Sequence, residues 1–142
     1  MPNHKLFSPN YDDYLLVGIV SACKDYKLAW LLNKELKINL VKQKPIELEF
    51  QDEQIYWLHH FIFHTTNGYL RLLPNKCEKT SSELFAYLLP EYRKFDFFLQ
   101  IADTGLSFDV KSMISNLKSL DFIQYLIEIE PVKQKVKETL LF

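Results

Sequence analysis

Leu89-Pro90-Glu91-Tyr92-Arg93-Lys94-Phe95-Asp96-Phe97-Phe98-Leu99-Gln100-Ile101 joins a proline break to the strongest strand candidate in the chain, and its reading decides the fold. Pro90 lacks an N–H and drives Leu89 out of the helical region, so Leu84 to Leu89 cannot continue as one helix past Pro90. From Phe95 to Ile101 aromatic and aliphatic side chains succeed one another with few polar breaks, the mark of a strand covered on both faces. Such a strand belongs in the middle of a sheet. Asp96 is the main exception within it, and a carboxylate there needs either water at the start of the strand or hydrogen-bond donors.

Toward the N-terminus, Tyr14 to Ala22 reads as a second buried strand, with Gly18 its one gap, suited to lie beside the first. From Asp25, the residues Tyr26, Leu28, Ala29, Trp30, Leu32 and Leu36 recur near helical spacing, with Lys27, Lys34, Glu35 and Lys37 mostly opposite, which predicts a helix packed on a sheet. Asp25 is placed to cap its first turn and to suit the helix dipole. Pro45 to Phe50 alternates as a half-exposed strand, with Ile46, Leu48 and Phe50 on one side. Ile55 to Phe63 and Tyr69 to Leu73 flank Thr65-Thr66-Asn67-Gly68 and predict a hairpin, its Asn-Gly pair suiting a tight primed turn with positive φ. Asn75 to Ser82 reads as a surface loop.

Toward the C-terminus, Asp103-Thr104-Gly105 is expected to turn the chain, and Val110, Met113, Ile114, Leu117 and Leu120 predict a second amphipathic helix. Phe122 to Ile129 alternates as a last strand, closed by Pro131. Residues 1–10 are expected as an N-terminal arm and 132–142 as a tail or short basic helix, the whole of 1–142 forming one domain. Two strand-helix-strand halves, Tyr14 to Phe50 and Phe95 to Ile129, then flank an inserted hairpin. The pattern predicts an α+β fold: a ferredoxin-like or ACT-like sandwich with a mixed, mostly antiparallel sheet and both helices on one face. Its other face would be open, and a second copy is the simplest cover, so a homodimer is expected.

A chain of 142 residues suits one core, and 48% hydrophobic with 25% charged residues is an ordinary globular composition. With only three glycines there is no room for a Gly-rich phosphate cradle, and 17 Lys+Arg against 18 Asp+Glu gives no sequence-wide pull toward nucleic acid or anionic lipid. Cys23 and Cys77 are too few for a disulfide framework, nothing reads as a signal peptide, and no apolar run is long enough to span a membrane. A soluble, cytoplasmic chain with reduced thiols is expected.

The central stretch also carries a resemblance. Leu89-Pro90-Glu91, three residues, then Phe95-Asp96-Phe97 resembles the signature of the IPExxxVDY family, small bacterial proteins named for that motif. Tyr14 to Ser21 and Lys24 to Asn33 are similar to the family's opening, and Leu140-Leu141-Phe142 to its usual ending. Leu89, Phe95 and Phe97 stand where the motif has Ile, Val and Tyr, the last without the phenolic hydroxyl. The resemblance implies a bacterial cytoplasmic protein and specifies no chemistry.

No catalytic constellation, metal box or cofactor motif stands out. His59, His60 and His64 raise the question of a metal, but on a strand His60 and His64 lie about 13 Å apart, too far for one ion, and histidines at the solvent edge of a hairpin are the simpler account. Asp25, Glu91 and Asp96 could be imagined as an acid and base pair. Capping by Asp25 and a salt link from Glu91 or Asp96 to Arg93 or Lys24 explain them more simply. Cys23 precedes a helix, where the dipole favours a thiolate, but lacks a matching histidine and reads as a buried inert thiol. Tyr56, Trp57, Tyr69, Tyr92, Phe95, Phe97 and Phe98 read as an aromatic interior. The function expected first is a non-enzymatic module that associates with itself or binds another protein, a build that also suits a regulatory role. The alternatives are an ACT-like metabolite sensor with its ligand near Gly18, Asp25, Glu91 and Asp96, then RNA binding through the C-terminal lysines, and last an enzyme.

Overall fold

Leu15–Val20 and Phe97–Asp103 run side by side through the middle of the molecule, Val17 opposite Leu99 and Gly18 opposite Phe98. Both are covered on their two faces, as their unbroken apolar runs predict. The computed structural model describes residues 14–50, 52–79, 84–103, 109–130, 133, 136, 139 and 140. In chain order the elements are β1 (Leu15–Val20), α1 (Asp25–Leu36), β2 (Val41–Lys42), β3 (Ile46–Glu49), β4 (Ile55–Leu58), β5 (Phe61–His64), β6 (Gly68–Pro74), β7 (Lys76–Lys79), β8 (Phe85–Tyr87), a 3-10 turn (Pro90–Tyr92), β9 (Phe97–Asp103), α2 (Val110–Lys118) and β10 (Tyr125–Glu128). The fold is α+β. Six strands in the order β10-β1-β9-β6-β5-β2 form one sheet, and four in the order β3-β4-β7-β8 form another.

Every pairing among the described strands is antiparallel, where a mixed sheet was expected. Ile46 to Glu49 alternates half-buried and exposed as predicted, but lies in the smaller sheet, and β6 is the strand that flanks β9. Ile55 to Phe63 is two strands with a bend at His59-His60.

The two faces of the large sheet are filled differently. Val17, Ile19, Leu70, Leu72, Phe97, Leu99 and Ile101 pack with Leu28, Ala29 and Leu32 of α1 and Met113 and Leu117 of α2, so both helices share one face. On the other, Leu16, Leu73 and Phe98 meet Tyr56, Leu58 and Cys77 of the smaller sheet, together with Val136 and Leu140. The face expected to be open is therefore covered, and the premise of the homodimer expectation goes with it. Burial pushes the Cys77 thiol up to about 12.

Of the four passages between the sheets among the described residues, those of β4 into β5 and β6 into β7 are the shortest and form sharp bends. At the second bend Asn75 is fully buried. Its amide donates to the carbonyls of Tyr92 and Phe95, both at 3.1 Å, and its side-chain oxygen accepts from Leu89 N–H at 2.9 Å. Its backbone N–H donates to Asp96 C=O at 2.9 Å, and its own carbonyl accepts from Leu88 N–H at 2.8 Å. Asn75 to Lys79 is thus a buried corner followed by β7, correcting the surface loop read there; residues 80–82 of that reading lie outside the described residues.

Close approach explains two glycines. A Cβ on Gly18 would meet the Phe95 ring at 2.7 Å, and one on Gly68 would lie 1.6 Å from Ala102 C=O. The Asn67-Gly68 hairpin forms, closed by Thr65 N–H to Gly68 C=O at 2.9 Å, but no residue of its turn has a positive φ, so the primed turn is not used. Positive φ falls instead on Lys37, which ends α1 in the left-handed region, and on Glu53.

α2 begins at Asp109, whose carboxylate accepts from Ser112 N–H at 3.3 Å. The last strand is shorter than the expected Phe122 to Ile129, and of the expected apolar row Tyr125 and Ile127 lie outside while Leu126, from the opposite row, is in the core. Asp103 is the last residue of β9; Thr104 and Gly105 of the predicted turn, the arm 1–10 and most of 132–142 lie outside the described residues.

The Asn75 bonds predict a large effect. Asn75→Ala leaves the buried Leu89 N–H and Phe95 C=O without their partner, Tyr92 C=O keeping its bond from Phe95 N–H, and should lower the unfolding free energy by about 3 kcal/mol in urea titration, against under about 0.5 for an exposed site such as Lys42→Ala. An Asn75→Ala midpoint equal to that of the parent chain would refute the pinning role.

Candidate functional site

Ser21 to Lys24 carries the chain from the end of β1 to the start of α1, and this link is tied down from two sides. Asp96 accepts from Ser21 N–H at 3.0 Å, while the Ser21 hydroxyl donates to Phe122 C=O at 2.7 Å. Gln124 accepts from Ala22 N–H at 3.0 Å. Opposite the link stand Pro74 and the outer faces of β7 and β8. The space between is a groove of about 840 Å³, lined by Cys23, Lys24, Asp25 and Tyr26 on one side and His59, Lys76, Glu78, Leu84 and Phe85 on the other, with Asp96 and Phe97 also in its wall.

Of the residues singled out from sequence, the fold brings Asp25 and Asp96 into this groove and leaves Gly18 and Glu91 out of its lining. Gly18 lies beneath the Phe95 ring, and Glu91 is exposed on the 3-10 turn. Asp25 is the first helical residue, preceded by Lys24 as the cap position, and its carboxylate accepts from Tyr26 N–H at 2.7 Å. The expected salt link of Glu91 or Asp96 with Arg93 or Lys24 does not form among the described residues; Asp96 binds a backbone N–H instead.

The histidines separate. His59 Nε2 lies 3.1 Å from Glu78 Oε2, and its buried Nδ1 has no hydrogen-bond partner among the described residues, so the half-buried Cys23 thiol in the same groove is not bonded to it. His60 is buried rather than at a solvent edge, with Nε2 3.1 Å from Lys44 C=O. His64 is exposed at the end of β5. No group of three or more metal-ligating side chains occurs among the described residues, and no described helix is long and apolar enough to cross a membrane.

No family model, curated protein or solved structure matches this chain. The site is therefore read from its own chemistry. Asp25, Asp96 and Ser21 each hold a backbone partner, and His59 stands against Glu78, so the groove presents fixed charge beside aromatic surface. Three carboxylates, on Asp25, Glu78 and Asp96, stand against two ammonium groups, on Lys24 and Lys76. The Lys76 ammonium sits 4.5 Å from the centre of the Phe85 ring. Apart from His59, sequence reasoning missed the far wall. Lys76 and Glu78 fall in a segment whose composition reads as loop, Phe85 falls in no predicted element, and only the alternation of Lys76, Cys77, Glu78 and Lys79 could have revealed a strand.

A second cavity, of about 550 Å³, is lined by Leu48, Glu49, Phe50, Asp52, Tyr87, Leu88, Pro90 and Thr139. The N–H of Gln54 first and the Tyr56 hydroxyl second hold the Asp52 carboxyl below its usual range, so this cavity carries a carboxylate at neutral pH.

His60 gives the molecule a pH dependence. Burial first, then the Arg71 charge, lowers its affinity for a proton below the ordinary value of 6.5, the accepted bond at Lys44 opposing only in part. The folded state resists protonation that the unfolded chain accepts. Stability from this group is complete above pH 6.5 and falls as pH drops below it, by at most about 1.4 kcal/mol per unit for one proton. Urea titrations from pH 7.5 to pH 5 should show that loss, and His60→Gln should flatten it.

Proposed function

We propose that this chain is a non-catalytic protein-binding module of bacterial, cytoplasmic type, built on a ferredoxin-like core. The core reading is supported by the units β1-α1-β6 and β9-α2-β10 and by the sheet order β10-β1-β9-β6, with β2 to β5 inserted before β6 and β7 and β8 after it. The bacterial and cytoplasmic part is supported by the motif Leu89-Pro90-Glu91 and Phe95-Asp96-Phe97 alone.

The observation that carries the binding reading is where large apolar side chains are left in water. Tyr26 is 63% exposed and Leu84 60%, and with Phe85 they line the 840 Å³ groove; Trp30, one turn along α1 from Tyr26, is 60% exposed. Aromatic groups at the mouth of a groove in which Ser21, Asp25 and Asp96 already hold backbone partners suit a protein surface better than a reacting substrate. Because the second face of the sheet is filled from within the chain, the reason to expect self-association there is gone, which favours a different protein as the partner. A metabolite held at the start of α1 is the second reading, favoured by the presence of Asp25 and Asp96 in one groove.

A photoreactive amino acid in place of Trp30, expressed in the native cell, should crosslink one reproducible partner, while the same group in place of Val41, exposed on β2, should not. Identical products from both positions, or products made only of this chain, would remove the reading. A thermal shift with a metabolite that Asp25→Asn abolishes would favour the second reading instead.

A further inference from the structure

The four outer strands of the two sheets differ in how they are protected against pairing with another strand. β2 is two residues long and carries Lys42 next to Lys44 and Pro45, β3 has Glu47 and Glu49 behind Pro45, and β10 ends in Glu128 followed by Glu130 and Pro131. Charge, proline and brevity are the usual devices that keep edge strands from pairing. β8 is short, but Phe85-Ala86-Tyr87 has neither charge nor proline.

Its backbone is also set to receive a partner. Lys79 N–H donates to Leu84 C=O at 3.2 Å and Leu88 N–H to Asn75 C=O at 2.8 Å, with Cys77 opposite Ala86. Alternation along an antiparallel pair turns the main-chain groups of residues 84, 86 and 88 toward β7 and those of Phe85 and Tyr87 away from it. No described strand pairs with that outer side.

The same strand also lies between the two cavities described above. Phe85 lines the 840 Å³ groove and Tyr87 the 550 Å³ cavity, and the two rings pack edge to face at 5.3 Å. A second copy pairing through three residues would bury far less than the roughly 1,200 Å² a stable dimer needs. An extended segment that continues past both ends of β8 gains the cavities as well. The Tyr87 cavity has Glu49 and Asp52 on an apolar wall and no lysine or arginine among its described residues, and the groove at Phe85 has one more carboxylate than ammonium group.

We infer that β8 is a strand-addition site for an extended peptide of a partner protein, apolar where it pairs with Phe85 and Tyr87 and carrying lysine or arginine at the end that enters the Tyr87 cavity. The inference rests on the binding-module reading and specifies its partner.

A phage-displayed random-peptide library panned on the full chain tests it. Enriched sequences should combine alternating apolar residues with a basic end, and their affinity should fall about tenfold or more in Glu49→Lys and in Tyr87→Pro, which removes one outward N–H. Because Tyr87→Pro can also disturb β8 itself, amide exchange supplies a second measurement on the unaltered chain. The Phe85 and Tyr87 amides should exchange fast and the Ala86 amide slowly, and bound peptide should slow the first two about tenfold or more. Peptides that bind Glu49→Lys and the parent chain alike would overturn the inference, as would enrichment of no sequence. So would Phe85 and Tyr87 amides already protected in the free chain, or a dimer in light scattering that Phe85→Lys dissociates. If any of these occurs while the Trp30 crosslink persists, the strand-addition site fails and the binding module stands; loss of that crosslink as well removes both.

Discussion

One buried amide side chain takes over where the ladder stops. At Asn75 the chain leaves one sheet for the other, and a bend there interrupts the alternation of backbone hydrogen bonds that a strand supplies by itself. Unmade bonds in a dry interior cost more than made bonds gain, so the bend requires a substitute for each one. Asn75 provides it, with two carbonyls and one N–H held by its side chain and two further bonds by its backbone. The groups it holds belong to Leu88, Leu89, Tyr92, Phe95 and Asp96, which is the whole approach to the central strand.

The influence of that corner reaches the surface. With Phe95 held, its ring lies on Gly18, and with Asp96 held, its carboxylate meets Ser21 N–H while its own N–H donates to Ile19 C=O at 2.9 Å. Ser21 in turn orients the link into α1. The resembled motif is thus structural in this molecule: Leu89 is buried, Pro90 opens the 3-10 turn, Phe95 packs and Asp96 ties β9 to the end of β1. The groove is the outside of the same arrangement, bounded by the link on one side and by β7, which Asn75 redirects, on the other.

Elements whose character is local were legible in the sequence. Two-faced apolar runs identified β1 and β9 as central neighbours, and helical spacing identified α1 and α2 on a common face. Whatever depends on a bend was not. Ile55 to Phe63 and Tyr69 to Lys79 each read as one strand or as strand and loop, because the kink at His59-His60 involves no glycine or proline and Pro74, before Asn75, does not reveal that the chain continues as a strand in the other sheet. Polar residues such as Asn75 and His60 suggest water, and only the fold reveals that each has a backbone partner waiting in the interior. The covered sheet face was missed for the same reason, since an insertion read as a hairpin beside the sheet bends over it instead. At the site, Asp25 and Asp96 were found through their nearness to a strand end and a helix start, whereas the opposite wall required the position of β7.

Scarcity of glycine bears on what such a groove can do. A chain with three glycines takes a positive φ at Lys37 and Glu53 instead, and its Asn75 corner is fixed by specific bonds rather than by a permissive residue. Surfaces held this way lose little freedom when something binds, and that conformational cost is among the main terms opposing association. The walls on either side of the groove trace back to bonds of Asn75 or Asp96, made before any partner arrives. On the proposed reading, binding there draws on a shape that folding has already set.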